Sequence, residues 1–191
     1  MIIHYDAKVV QTKVVYYGPA MSGKTTSLRA LFAAMKPGAD VKSIETTTGR
    51  TLFFDFGTLD VRGAEWTIKF VLYSTTGQDF YQATRPATLV GVDGVVFVAD
   101  AQRPLMAYNK ASWDELYRFL GSTKKDVPVV VCLNKIDMPD TVSAEELRAG
   151  LALPPDRAIA IMPAIASQGI GVKEAFATVM RRLFPSFHIA A

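Results

Sequence analysis

The strongest constraint on this chain is a spacing: Gly18, four residues, then Gly23-Lys24-Thr25, set between an apolar run and an amphipathic stretch. The preceding run, Lys8 to Tyr17, contains Val14-Val15-Tyr16-Tyr17, β-branched and aromatic residues that form a buried strand. The following stretch, Thr26 to Met35, puts Leu28, Leu31, Phe32 and Met35 on one helical face. A strand, a glycine-bearing turn and a helix start build a nest of backbone N–H groups at the positive end of a helix, and both features attract an anion. The pattern G-x-x-x-x-G-K-[ST] in that context is a phosphate-cradling loop. Gly18, Pro19, Ala20, Met21, Ser22, Gly23, Lys24, Thr25 and Thr26 are thus candidate nucleotide-phosphate contacts. The Lys24 ammonium reaches the β- and γ-phosphates, and the Thr25 hydroxyl sits on Mg²⁺, a hard ion that takes few protein ligands.

Downstream, Lys36-Pro37-Gly38 stops the helix, and Ala39 to Gly49 is polar and aperiodic, which predicts a mobile loop. Arg50 to Phe56 and Trp66 to Tyr73 read as strands, joined into an antiparallel hairpin by the polar connection around Arg62-Gly63-Ala64-Glu65. Further strands are predicted over Val92 to Ala99, Val127 to Leu133 and Ala158 to Met162. Helices are predicted over Leu105 to Leu120, after a capping box at Ser143 and Glu146, and over Val172 to Phe184. Buried apolar strands alternating with amphipathic helices pair in parallel, so the expected fold is α/β: a three-layer sandwich around a mainly parallel six-stranded sheet with one antiparallel edge strand. No linker or repeat interrupts the chain, and residues 1–191 read as a single domain.

Composition narrows the class. Half of the residues are hydrophobic, enough for a sizeable core, and a net charge of +3 without long Lys/Arg runs gives no footprint for nucleic acid. Cys132 is the sole cysteine and lies in an apolar run, so no internal disulfide forms, which fits a reducing cytoplasm. No apolar stretch reaches the roughly 20 residues that span a bilayer. Position 2 is Ile and the last residues carry no Cys, so no lipid anchor is expected, and any recruitment to a membrane or cell pole would run through partners. His4 and His188 have no ligand constellation around them in the sequence.

In an open α/β sheet the ligand lies beyond the carboxyl ends of the strands. Asn134-Lys135-Ile136-Asp137 follows one predicted strand at such an end. The Asp137 carboxylate offers two oxygens side by side, the acceptor pair that the N1–H and 2-amino group of guanine require. Adenine lacks those donors and would leave a desolvated carboxylate unpaired, at a cost of about 1–3 kcal/mol or more. Asn134 can tie this turn to the phosphate loop, and the Lys135 stem can lie over the base plane.

Together these motifs resemble the Ras-like small GTPases, P-loop proteins with a G domain, over nearly the whole chain. Within that superfamily the sequence is most similar to the prokaryotic MglA group, through Val15 to Pro19, Ser22 to Thr26, Arg50 to Phe56, Gly77-Gln78 and Gly91 to Asp100. The resemblance implies a cytoplasmic switch for cell polarity or gliding motility that cycles between GTP and GDP. It also implies an MglB-like Roadblock-fold partner that accelerates hydrolysis, and effectors that read the nucleotide state. Thr51 is then the switch threonine that closes on Mg²⁺ and the γ-phosphate. Gln78 orients the attacking water, Gly77 donates its N–H to the γ-phosphate, and Arg50 is an arginine finger supplied in cis. A solvated loop arginine is the competing reading of Arg50. Ala166 matches the loop whose N–H reaches the guanine O6, although the usual Ser-Ala-Lys letters are missing.

Two departures bear on turnover. Ser74 stands where Ras-like proteins carry an acidic partner for the metal shell, which shifts attention to Asp55 and Asp100; for both, a cap or turn role competes with a metal role. Ala20 stands where glycine is usual, and its β-carbon crowds the γ-phosphate, so slow intrinsic hydrolysis is expected. These departures keep open a guanine-nucleotide scaffold without turnover. A P-loop small-molecule kinase is disfavoured by Asn134 to Asp137. Phe53, Phe54 and Phe56 alternate on the edge strand, and at least one is expected to be exposed as a partner surface.

Overall fold

The residues that read as continuously apolar become strands buried on both faces of one mixed sheet. The computed structural model describes residues 1–35, 42–45, 51–75, 85–123, 125–154 and 158–186, with the backbone alone described at 42–45, 51–55, 85 and 86. The strands are β1 (Ile2–His4), β2 (Val9–Tyr17), β3 (Lys42–Glu45), β4 (Thr51–Arg62), β5 (Thr67–Thr75), β6 (Gly94–Asp100), β7 (Val129–Asn134) and β8 (Ile161–Ala164). The helices are α1 (Lys24–Met35), α2 (Arg85–Leu89), α3 (Met106–Gly121), α4 (Ala144–Gly150) and α5 (Val172–Leu183).

The sheet order is β3-β4-β5-β2-β6-β7-β8, with β1 paired to β2. β5, β2, β6, β7 and β8 run parallel, and β4 is antiparallel to β5. The six-stranded frame therefore stands as expected, and two short strands extend it. One of them, β3, pairs antiparallel with β4 from within the segment expected as a loop, so β4 is not the outermost strand. Backbone pairing needs no hydrophobic period, and the outer edge of β4 offers a row of N–H and C=O groups to any chain passing beside it. β4 itself runs on to Arg62, well past Phe56, before the turn closed by Gly63 N–H donating to the Trp66 carbonyl (2.9 Å).

Alternation along β2 divides the core in two. Val14 and Tyr16 join Leu28, Leu31 and Phe32 of α1 and Phe176 and Val179 of α5 on one face. Val15 and Tyr17 join Leu89 of α2, Trp113 and Leu116 of α3 and Leu147 of α4 on the other. A strand sandwiched between two helix layers has no solvent face, which explains its unbroken apolar run. Phe70 packs edge-on against Phe176 at 5.0 Å, and Phe97 against Trp113 at 5.1 Å. α4 starts as read from the sequence: Ser143 Oγ accepts from the Glu146 N–H while the Glu146 carboxylate accepts from the Ser143 N–H. Met35, placed on the core face of α1 by periodicity, is exposed at the last turn. Cys132 is buried and free, its thiol pushed up to about 12 by burial, so it packs as a small hydrophobe.

Candidate functional site

Parallel β2, β6, β7 and β8 deliver four chain segments to the same edge of the sheet. The first is the turn between β2 and α1. Its backbone takes positive φ at Gly18 (145°), Met21 (61°) and Gly23 (100°), folding the N–H groups into a concave loop ahead of the helix start. The glycines are required by close approach: a Cβ on Gly18 would lie 2.2 Å from the Val98 carbonyl oxygen, and one on Gly23 would lie 2.2 Å from Asn134 Nδ2. Met21 holds a left-handed conformation without that excuse, with its side chain exposed at the loop tip. Ala20 is also exposed.

Lys24 opens α1 as a buried cation. Its ammonium donates to the carbonyls of Gly18 (3.0 Å) and Pro19 (2.6 Å), which curls the side chain back over the loop. Thr25 and Thr26 follow in the first helical turn, half-buried and exposed respectively. Ser22 Oγ is buried with no hydrogen-bond partner among the described residues.

The second and third segments meet at Asn134, the last residue of β7. Its Nδ2 donates to the Ser22 carbonyl (2.8 Å), and its Oδ1 accepts from the Ala166 N–H (2.9 Å). One buried amide thus ties the phosphate loop to the turn after β8, across 112 and 32 residues of chain. Ala166, expected to face the base, is buried at this turn, and its N–H donates to Asn134. Lys135 follows with φ of 66°, and its ammonium donates to Asp100 Oδ2 (2.6 Å). Asp137 is exposed and makes no hydrogen bond among the described residues, leaving both carboxylate oxygens open to a ligand.

The fourth segment ends at Asp100, and here the open choice between a metal and a turn role is decided by geometry. Oδ1 accepts from the backbone N–H and the Nε2 of Gln102 (both 3.1 Å), and Oδ2 accepts from Lys135. With 1% exposure and both oxygens engaged, Asp100 is a turn and ion-pair residue, not a metal ligand. Ser74 is fully buried near the end of β5, opposite Asp55 in the β4–β5 ladder. Among the described residues no group of His, Cys, Asp or Glu could hold a metal ion. The donor set at this edge is hydroxyl and backbone oxygen, which fits a hard cation held chiefly by ligand phosphates and suits no soft metal.

Thr51 is the first residue of β4, described by its backbone. Arg50, Gly77 and Gln78 lie outside the described residues. Of the phenylalanines on β4, Phe56 is 36% exposed and stacks on Tyr73 at 6.3 Å. Sequence reading missed the buried Asn109 of α3, which accepts from the Asp100 N–H (2.9 Å) and donates to the Asp100 carbonyl (2.8 Å). A buried Asn inside a helix of otherwise ordinary amphipathic pattern gives no local signal of a partner nine residues away.

Residues 2–183 match the model of the ADP-ribosylation factor family. The mutual gliding-motility protein MglA of Myxococcus xanthus is 40% identical over 189 residues, covering 94% of this chain and 93% of the relative. The Ras-related protein Rab7 of Pisum sativum is 29% identical, over 88% of this chain and 80% of that protein. ADP-ribosylation factor-like protein 6 of Caenorhabditis briggsae is 29% identical, over 73% of this chain and 68% of that protein.

Proposed function

The chain belongs to the ADP-ribosylation factor family of Ras-like small GTPases, which bind GTP and GDP and hydrolyse GTP, and on that premise we propose how its own residues perform the cycle. The phosphate loop, Gly18 to Thr25, holds the di- or triphosphate through its backbone N–H groups, and Lys24 turns its ammonium from the Gly18 and Pro19 carbonyls to the β- and γ-phosphates. At the other end Asp137 accepts from the N1–H and 2-amino group of guanine, with the Lys135 stem along the base plane. The observation that carries this reading is the pair of hydrogen bonds at Asn134, which fixes the distance between the two grips.

Mg²⁺, when bound, neutralises charge on the phosphoryl oxygens. Thr25 and Thr51 are the residues that would hold it, consistent with a hydroxyl and backbone donor set. Gly77 and Gln78 act on the γ-phosphate and the attacking water, and Arg50 supplies the cation in cis. These roles are carried over from the MglA group through matching residues. The same likeness supports a cytoplasmic switch in cell polarity or gliding motility, formed by residues 1–191 as one domain and stimulated by an MglB-like Roadblock-fold partner. Loss of the γ-phosphate releases the segments around 45–56 and 74–90, and effectors read that change.

The test has two steps. The purified chain is denatured and the released nucleotide identified by chromatography; then phosphate release from GTP is followed with Mg²⁺, with and without a Roadblock partner. Guanine nucleotide, and slow release that the partner accelerates, is the expected result. Adenine nucleotide, or no phosphate under either condition, would overturn the proposal.

A further inference from the structure

The chain of contacts behind the base turn has a member whose role no nucleotide contact explains. Asp100 is buried at the end of β6, and its main chain is locked on both sides by Asn109, whose carboxamide accepts from its N–H and donates to its carbonyl. Oδ1 is occupied by Gln102, which sets the side-chain rotation and aims Oδ2 across to the next strand. There it meets the Lys135 ammonium at 2.6 Å, the one polar partner of that ammonium among the described residues. Lys135 has a left-handed backbone, a conformation that nothing in its own side chain favours, and it is 28% exposed. A four-carbon stem anchored at both ends, by the β7 turn and by a buried carboxylate, is a wall with few rotamers left to lose when a flat ligand stacks on it.

We propose that Asp100 is a positioning residue for the nucleotide base: it pins the Lys135 ammonium so that the lysine stem is preformed as one wall of the base site, and Asn109 fixes Asp100 for that task. This deepens the guanine-site reading given above and rests on it. Affinity rises because the stem is ordered before binding, so the effect falls on nucleotide release.

The experiment is a double-mutant cycle read by release of a fluorescent GDP analogue from the full chain. Asp100→Asn keeps an acceptor for the Gln102 N–H but turns an amide NH₂ toward the lysine ammonium, which expels it. Lys135→Met supplies an apolar stem that needs no counter-ion. In the Lys135 background Asp100→Asn is expected to speed release about tenfold, and in the Lys135→Met background by less than about twofold, the non-additivity expected of residues that act through each other. A purely structural Asp100 would speed release equally in both backgrounds, which overturns the proposal. Circular dichroism checks the fold, and Asp100→Ser repeats the cycle if the Asn variant melts lower. A parent that exchanges GDP for ADP freely refutes the guanine reading and this inference with it. A guanine-selective parent whose Asp100→Asn variant releases at the parental rate refutes this inference alone.

Discussion

Replacing Asn134 with Ala removes the brace between the two ends of the site, and the structure sets the size of the effect. Two buried hydrogen bonds disappear, at 2.8 Å to the Ser22 carbonyl and 2.9 Å from the Ala166 N–H. Removing the amide leaves behind two backbone groups, each with a desolvation penalty of about 1–3 kcal/mol where water does not reach it. Asn134 is 2% exposed, so water enters poorly, and the sum lies near 3 kcal/mol after partial relaxation. For a domain of this length that loss lowers Tm by about 10 °C. The assay is thermal melting followed by far-UV circular dichroism on protein stripped of nucleotide, since bound ligand adds its own stabilisation. Asp137→Ala is the matched control: the residue is exposed and makes no hydrogen bond among the described residues, so its substitution should shift Tm by less than about 2 °C. An Asn134→Ala variant that melts within about 2 °C of the parent would refute the claim that this amide holds the loops together.

Three other perturbations have defined outcomes. Met21→Gly relieves a left-handed backbone that disfavours side chains and loses little packing, since Met21 is 67% exposed; net of the extra chain entropy of glycine it should raise Tm by about 2 °C, and a fall would show the methionine is held by contacts. Ala20→Gly removes a β-carbon from the loop proposed to hold the γ-phosphate, and single-turnover GTP hydrolysis should quicken; an unchanged rate would remove Ala20 from the proposed account of slow turnover. Asp93 lies buried at the start of β6, where burial alone would push its carboxyl up, but hydrogen bonds from Lys125 and the Lys13 N–H hold it below the ordinary 3.8. A carboxyl lowered on folding adds stability that is complete above the ordinary value and lost as pH falls through the folded one. The urea midpoint should therefore drop below about pH 4, and that acid slope should shrink in Asp93→Asn; an identical slope in the variant would assign the acid sensitivity elsewhere.

Much of this fold was legible because its central strands are buried on both faces. A run such as Val129 to Leu133 admits few alternatives once helices flank it, and Ser143 with Glu146 marked a helix start by hydrogen-bond chemistry alone. What escaped had no local period. β3 forms because β4 offers it an edge, and α2 is five residues long, too short for a helical face to repeat. In the site, the phosphate loop and Asn134 were readable because glycine spacing and an Asn-x-x-Asp run after an apolar strand are local signals. The Ala166–Asn134 contact and the clamp of Asn109 on Asp100 were not, because each depends on which backbone groups the fold brings within 3 Å of a side-chain amide.

The central claim is that Asp137 reads guanine while the phosphate loop holds the other end of the same molecule. Competition against labelled GDP by GDP, ADP, IDP and XDP, in the parent and in Asp137→Asn, tests it most directly. The parent should favour GDP over ADP and over IDP, which lacks the 2-amino group, by about tenfold or more. In Asp137→Asn the amide N–H can donate to the C2 carbonyl of xanthine, so preference should move from GDP to XDP. A variant that keeps the parental order of GDP over XDP and ADP would contradict the account.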